Sequence, residues 1–515
     1  MIEADVIIVG SGPAGAAAAQ QLVNAGTKVL MLEVGARPER DRFAAMKRAV
    51  LGEIPWEFPP YPYEMRGDDI ELNEFALRIL GGSSMSWGAI TPRFHPNDFR
   101  MNQKYGVGVD WPISYSDLEK YYCDAEVFMG VSGADDNPYM GPRSQPFPMA
   151  NFPLNDSDIL VSKAASRLGI QMHSVPVARN STPYDQRSAC SYYSVCRACP
   201  IGAMFSSDRV VERLERRSNF RLRTNAEAIR VELDGNQRAK QIVFRDNDGQ
   251  EHAAKADKFI LATQTVETVR MLLNSACGKF PRGVGNNNGQ LGLYFTEHPK
   301  FYVSGRVSQR LHPYKQGFET ATTYKFHDHP MRHHYAGGRM MVRETGGPSV
   351  PEIAVQSGRW GQDLRDEIEE IFGHQIILGA FLEQLPRATN KISLSDTIRD
   401  SGGLPAACID FQLVGEYEEA GFKAMKREMH KILDALGAQQ VETAMPLSNS
   451  GHYMGGHRMG ANPETSTTNS YLQTHEIDNL YLASGGAFPT SGVSNPTLTT
   501  VALTMRMSEH MLGAS

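Results

Sequence analysis

No stretch of the sequence approaches the ~20 consecutive apolar residues that a membrane-spanning helix requires. A basic excess is missing too: 52 Lys and Arg stand against 58 Asp and Glu, a formal charge of −6. That balance argues against nucleic acid as the main partner, because phosphate-binding surfaces need surplus positive charge. The opening Met1-Ile2-Glu3-Ala4-Asp5 has no basic leader, and glycines interrupt the apolar run behind it. No secretory signal of its own is therefore expected. Such a chain stays in the cytoplasm, or reaches the periplasm already folded beside a small partner subunit that carries the signal. Six cysteines in 515 residues exclude a disulfide scaffold. Internal repeats and low-complexity tracts are absent. What remains, 41% hydrophobic and 21% charged residues, is globular composition with length enough for two or three domains.

The strongest local signal comes early. Asp5 to Gly10 reads as a buried strand, Gly10-Ser11-Gly12-Pro13-Ala14-Gly15 as a turn into an Ala-rich helix reaching about Asn24, and Thr27 to Glu33 as a second strand. Strand, glycine turn, helix, strand and acid together form a dinucleotide-binding fingerprint. Gly10 makes the tight turn, Gly12 lets the backbone approach a pyrophosphate, and Gly15 lets helix and strand pack closely. The helix N-terminus then faces phosphate, and Glu33 is placed for ribose hydroxyls.

A second glycine-rich segment, Arg78-Ile79-Leu80-Gly81-Gly82-Ser83-Ser84-Met85-Ser86-Trp87-Gly88, continues to Thr91-Pro92-Arg93-Phe94. It resembles the flavin-contacting loop of the glucose-methanol-choline (GMC) oxidoreductases, and its Thr-Pro-Arg-Phe ending is similar to that of pyranose oxidases. Ser450 to Gly460 resembles the family's active-site histidine segment. Asp478 to Pro489 resembles its late flavin-binding strand and turn, and Ser494 to Thr500 the segment with the second catalytic residue. Phe259 to Gln264, Glu267 to Ser275, and Gly289-Gln290-Leu291-Gly292 leading to Glu297-His298-Pro299 follow in the family's order.

The resemblance implies an α/β fold: a discontinuous Rossmann-type FAD-binding domain (1–99, 200–300 and 446–515) and an α+β substrate domain (100–199 and 301–445). It places FAD against Gly10, Gly12, Gly15, Glu33, Arg78, Gly82, Ser83, Ser86, Trp87, Gly88, Ala228, Gly485, Gly486, Asn495 and Thr497. Pyranose oxidases that attach flavin covalently carry a histidine before the loop tryptophan. Ser86 holds that place here, and a hydroxyl cannot form the link, so FAD is expected to be non-covalent. Ser484 is a further departure, since many relatives have an acid there. Gln375 to Leu382 reads as a strand. Glu416 to Leu436 is amphipathic at helical spacing, with Phe422, Met425, Met429, Ile432 and Leu433 on one side.

Oxidising a carbon beside a hydroxyl requires removal of the hydroxyl proton and transfer of hydride to flavin. His452 is the expected general base and Asn495 the group that orients the alcohol. The expected substrate is a sugar or glycoside, attacked at C1, C2 or C3, with electrons passed to a cytochrome or quinone. The alternatives are an oxygen-reducing pyranose or glycoside oxidase and, of another class, a flavin-binding partner protein without catalysis. His457 does not match the catalytic position. His327, His329, His333 and His334 read as a solvated loop rather than a metal site.

Cys190, Cys196 and Cys199 have the spacing Cys-x5-Cys-x2-Cys-Pro. Three thiols followed by proline point to an iron–sulfur cluster rather than to structural zinc, which takes four protein ligands. The flanks are similar to the three-iron (3Fe-4S) segment of bacterial FAD-dependent glucose dehydrogenase catalytic subunits, which have one more residue between the last two cysteines. Reduced cysteines without a cluster are the other reading. Cys123, Cys277 and Cys408 are expected to be buried apolar-type residues.

Overall fold

Val6–Val9, four residues with a β-branched or apolar side chain at every position, is buried throughout, as a strand covered on both faces must be. It lies at the centre of a five-stranded parallel sheet. The order is Leu480–Leu482, Lys258–Leu261, Val6–Val9, Val29–Leu32, Phe220–Arg223. The computed structural model describes residues 2–38, 41–50, 56, 60–192, 196, 198–312, 318–343 and 347–513.

The helix Pro13–Asn24 follows the first turn, with proline in its opening turn where a missing N–H costs nothing. Ala16, Ala17, Ala18 and Ala19 are fully buried. These short side chains let the helix sit close to the sheet and against the C-terminal helix Thr497–Met511 and the helix Ser207–Leu214. Two glycines are dictated by backbone. Gly10 has φ +99°, and a Cβ there would lie 2.6 Å from the Ala262 carbonyl oxygen; one on Gly15 would lie 2.0 Å from that of Gly10. Beside this layer stands a four-stranded sheet, ordered Ile2–Glu3, Glu251–Lys255, Ala239–Arg245, Glu227–Leu233.

A six-stranded sheet forms the other half. Its order is Gln439–Ser448, Lys300–Arg306, Gln375–Leu382, Gly338–Arg343, Ala321–Thr323, His173–Ser174, with antiparallel neighbours. Strand alternation divides its residues between two faces. Phe301, Val303, Met340, Val342, Leu378 and Ala380 form one core with Met425, Met429, Ile432 and Leu433 of the helix Glu416–Ala435. Phe422 of that helix packs edge-on to Phe301. Lys300, Phe381 and Arg339 are register partners on the opposite face, which meets the glycine-rich layer.

Two expectations about the exposure of side chains fail. His327 is not in a solvated loop: it is buried, with Nε2 2.9 Å from Asp98. His333 and His334 are exposed as expected. Cys123 and Cys408 are buried, but Cys277 is exposed. It follows the helix Thr265–Asn274, in a short turn where its N–H and carbonyl pair with Phe280 and leave its side chain outside the core. Among the described residues, no helix is long and apolar enough to cross a membrane.

Candidate active site

The two glycine turns face each other across the head of one cavity. Gly81 donates its N–H to Ser11 Oγ at 2.9 Å, and a Cβ on Gly82 would stand 3.3 Å from Gly12 Cα. The cavity, about 660 Å³, is lined by Glu33, His452 and Asn495. Gly10, Gly12, Arg78, Gly82, Ser83, Ser86, Trp87, Gly88, Ala228, Gly485 and Thr497 also line it.

Glu33 is buried and accepts the Ser11 N–H at 2.9 Å and the Gly35 N–H at 2.8 Å. Burial raises its carboxyl above the ordinary value, against the lowering effect of those hydrogen bonds. The helix Pro13–Asn24 presents its N-terminus to the same space, and a Cβ on Gly12 would meet nothing within 4 Å. A buried acid, a helix N-terminus and open space before a glycine suit ribose and pyrophosphate. The residues present therefore fit an adenine dinucleotide.

The middle wall is held by remote partners. Arg78 lies over the Tyr61 ring, 3.2 Å from its centroid, and 3.4 Å from Glu267. Trp87 donates Nε1–H to the Phe205 carbonyl at 2.9 Å, and Ser83 donates to the Phe75 carbonyl at 2.6 Å. Ser484 accepts from the Gly486 N–H at 3.2 Å and sits 2.8 Å from His457 Nε2. Gly486 differs from its neighbours. It is not in the cavity wall, and a Cβ there would lie 2.1 Å from His457 Nε2. Its small size makes room for that buried imidazole. Gly15 likewise packs behind the wall, against Gly10.

In the same cavity Asn495 Nδ2 is 2.9 Å from His452 Nε2. Ser494, one residue earlier, donates to the Arg93 carbonyl at 2.9 Å, which fixes the segment bearing Asn495. Asn495 Oδ1 is buried without a partner among the described residues. The His452 imidazole lies against Phe381, with ring centroids 5.2 Å apart. Burial, first, and then His298, Arg339 and Lys300 hold its pKa well below the ordinary histidine value. It is therefore neutral at physiological pH, the state a base requires.

Glu297 and His298, to which the sequence alone assigns no role, also reach His452. Glu297 accepts the Ser450 N–H at 2.8 Å, the Ser450 hydroxyl at 2.9 Å and the His452 N–H, so it clamps the main chain that carries His452. Burial raises its carboxyl to about 7. His298 Nδ1 is 3.0 Å from His452 Nδ1. The adjacent Glu-His-Pro was the available signal, but nothing local says what it touches 154 residues later.

The structure does not support the iron–sulfur expectation. Nη1 of buried Arg179 is 3.9 Å from Cys190 Sγ, and although burial lowers the pKa of this guanidinium, Cys196, Cys190 and Cys199 hold it raised. Burial raises the Cys196 thiol, with Arg179 opposing. Among the described residues, however, no group of three His, Cys, Asp or Glu side chains is placed to hold a metal ion. Residues 193–195 and 197 of this segment lie outside the described ones.

Comparison with known proteins agrees with the geometry. The family description GMC oxidoreductase matches residues 5–299 with its N-terminal part and residues 386–504 with its C-terminal part. The chain is 30% identical to the fructose dehydrogenase large subunit of Gluconobacter japonicus, over 99% of this chain and 98% of that one. It is 24% identical to a C-glycoside 3-oxidase of Microbacterium trichothecenolyticum, over 99% and 96%. Its fold is similar to that of a formate oxidase variant of Aspergillus oryzae RIB40, with a TM-score of 0.68, 14% identity, and 99% and 98% of the chains covered.

Proposed function

From the premise that this chain belongs to the GMC oxidoreductase family, which implies FAD, we propose that it oxidises a CH–OH group of a sugar or glycoside. The observation that carries the reading is the His452–Asn495 pair, 2.9 Å apart in the wall of the cavity that Glu33 and the two glycine turns also line. The relatives named fructose dehydrogenase and C-glycoside 3-oxidase support the substrate class.

When bound, FAD supplies the acceptor for the two electrons and the hydrogen that leave the substrate carbon as hydride. The protein's part is the proton. A substrate hydroxyl within reach of both takes the place of their direct contact: it donates to His452 Nε2 while its oxygen accepts from Asn495 Nδ2–H. As the C–H bond breaks, the O–H proton passes to Nε2 and the carbon–oxygen bond becomes a carbonyl. Asn495 holds the alcohol oxygen and takes no proton. Asn495→Ala should therefore lower substrate-dependent flavin reduction by about 10-fold, well short of the loss expected for the base itself. Wild-type reduction rates in that variant would remove Asn495 from the reaction.

The acceptor we propose is not oxygen, in keeping with the dehydrogenase relatives, one named a large subunit and another, from Pantoea cypripedii, a flavoprotein of gluconate 2-dehydrogenase. Those names also support a partner subunit. The oxidase relatives favour a second reading, in which oxygen takes the electrons at the flavin. An anaerobic screen of sugars and glycosides, following flavin bleaching and product by NMR, tests the substrate class. Rapid peroxide formation on admitting air would select the oxidase. Iron and labile sulfide in protein purified without air would restore the three-cysteine cluster, and their absence would end it.

Non-covalent attachment follows from Ser86, which lines the cavity where a histidyl link would require a ring nitrogen. Acid precipitation should leave a yellow supernatant over a colourless pellet. A yellow pellet would assign the link to another residue.

A further inference from the structure

We infer that His298 is a positioning residue that fixes the tautomer of His452 and so decides which of its nitrogens is the base. The inference rests on His452 being the base, and follows from hydrogen-bond direction along one chain of groups. His298 Nε2 is 3.1 Å from the Ser491 carbonyl oxygen. A carbonyl only accepts, so Nε2 carries the hydrogen. A neutral imidazole has one N–H, which leaves His298 Nδ1 with a lone pair. That Nδ1 is 3.0 Å from His452 Nδ1, so the hydrogen between them belongs to His452. His452 Nε2 is then bare, and it meets Asn495 Nδ2, an amide nitrogen that only donates. Each contact from Ser491 to Asn495 has one donor and one acceptor.

The opposite tautomer has no such solution. With its hydrogen on Nε2, His452 would face the Asn495 amide donor with a second donor. Its bare Nδ1 would face the bare Nδ1 of His298. Turning His298 over as well would set a bare Nε2 against the Ser491 carbonyl. The surroundings keep the arrangement. The two imidazoles are nearly perpendicular, at 85°, and the Phe381 ring lies beside both. Ser491 is fixed in turn, its hydroxyl accepting the Gln384 N–H at 3.0 Å, while Gln384 Oε1 accepts the Glu297 N–H at 2.9 Å. His298 is kept neutral by burial, which lowers its pKa to about 4. The charged groups acting on it are Arg339, which lowers, and Glu383, which raises. Glu297 thus holds the main chain of the base, and His298 orients its ring.

The test uses the FAD-loaded protein and two variants. His298→Leu removes the acceptor; His298→Gln keeps an amide able to donate to Ser491 and accept from His452. Flavin reduction by an accepted CH–OH donor should slow about 10-fold or more in His298→Leu and stay within a few-fold of wild type in His298→Gln. In ¹⁵N-histidine-labelled wild type, the signals lost in His452→Asn should show hydrogen on Nδ1 and a bare Nε2. A protonated Nε2 on His452 would overturn the inference, as would a His298→Leu rate equal to wild type or a His298→Gln rate as poor as His298→Leu. If His298→Leu does not fold, the Gln variant and the nitrogen signals still decide. If no sugar or glycoside bleaches the wild-type flavin, the proposed function fails, while the tautomer is still read from the nitrogen signals.

Discussion

His452→Ala should bind FAD as wild type does, yet reduce it about 10³-fold more slowly with the preferred sugar or glycoside, within the range general-base loss produces. The side chain meets Asn495, His298 and Phe381, whereas Glu33 bonds Ser11 and Gly35. The main-chain clamp should survive too, because Glu297 holds the His452 N–H and the Ser450 N–H, not the imidazole. Stopped-flow bleaching of the bound flavin measures the effect without involving the electron acceptor. A folded, yellow variant with an undiminished rate would refute the assignment. The pH profile gives an independent check. His452 is held well below the ordinary histidine value of about 6.5, first by burial and then by His298, Arg339 and Lys300. Its neutral form therefore persists as pH falls below that value. The acid limb of flavin reduction should lie lower than about 6.5, and a limb at or above it would contradict the environment described.

The parts legible in the sequence are those whose physics is local. A φ of +99° at Gly10 and a 2.0 Å clash at Gly15 are demands that neighbouring residues make on each other, so they appear as a spaced motif. The Met and Leu stripe of Glu416–Ala435 is legible for the same reason, since one helix face records what it packs against. His452 and Asn495 were found through resemblance; their 2.9 Å contact joins residues 43 apart. What escaped notice was created by segments meeting in space. Gly486 is expected against FAD but makes room for buried His457. Ser484, without an evident purpose in the sequence, caps the short turn Gly485–Ala487 and bonds that same imidazole. The three cysteines have a spacing that suggests metal, yet the contact made by Cys190 is with Arg179, which no spacing rule includes.

Arg332→Met should destabilise the protein by about 3–5 kcal/mol, the usual loss when one partner of a buried ion pair is removed. Arg332 is completely buried. Its Nη2 lies 2.6 Å from Asp98 and its Nε 2.8 Å from Glu383. Asp98 also meets His327 Nε2 and takes the His95 N–H, and Glu383 takes the Gly337 N–H and the Tyr417 hydroxyl. Burial alone would raise both carboxyls. His327 and Arg332 hold Asp98 below its ordinary value, and Arg332 foremost does so for Glu383. The sign of the pH dependence follows. In the wild type these depressed groups stabilise the fold above the ordinary carboxylate range, and the contribution fades as pH falls through their lowered values. In Arg332→Met burial prevails, the carboxyls move upward, and acid now relieves the strain by neutralising one of them. The stability gap between the two proteins, measured by denaturant unfolding of the FAD-loaded forms, should be widest near neutral pH and narrow toward about pH 4. A variant as stable as wild type at neutral pH would show that the two carboxylates do not need the guanidinium. Adding Asp98→Asn and Glu383→Gln should recover part of the loss, because neutral amides have no charge to bury. The network borders the catalytic end: Thr490 donates to the Asp98 carbonyl at 3.3 Å, and Ser491 beside it receives the hydrogen of His298. Loosening the ion cluster should therefore slow flavin reduction before the protein unfolds, since the carbonyl that orients His298 is anchored against it.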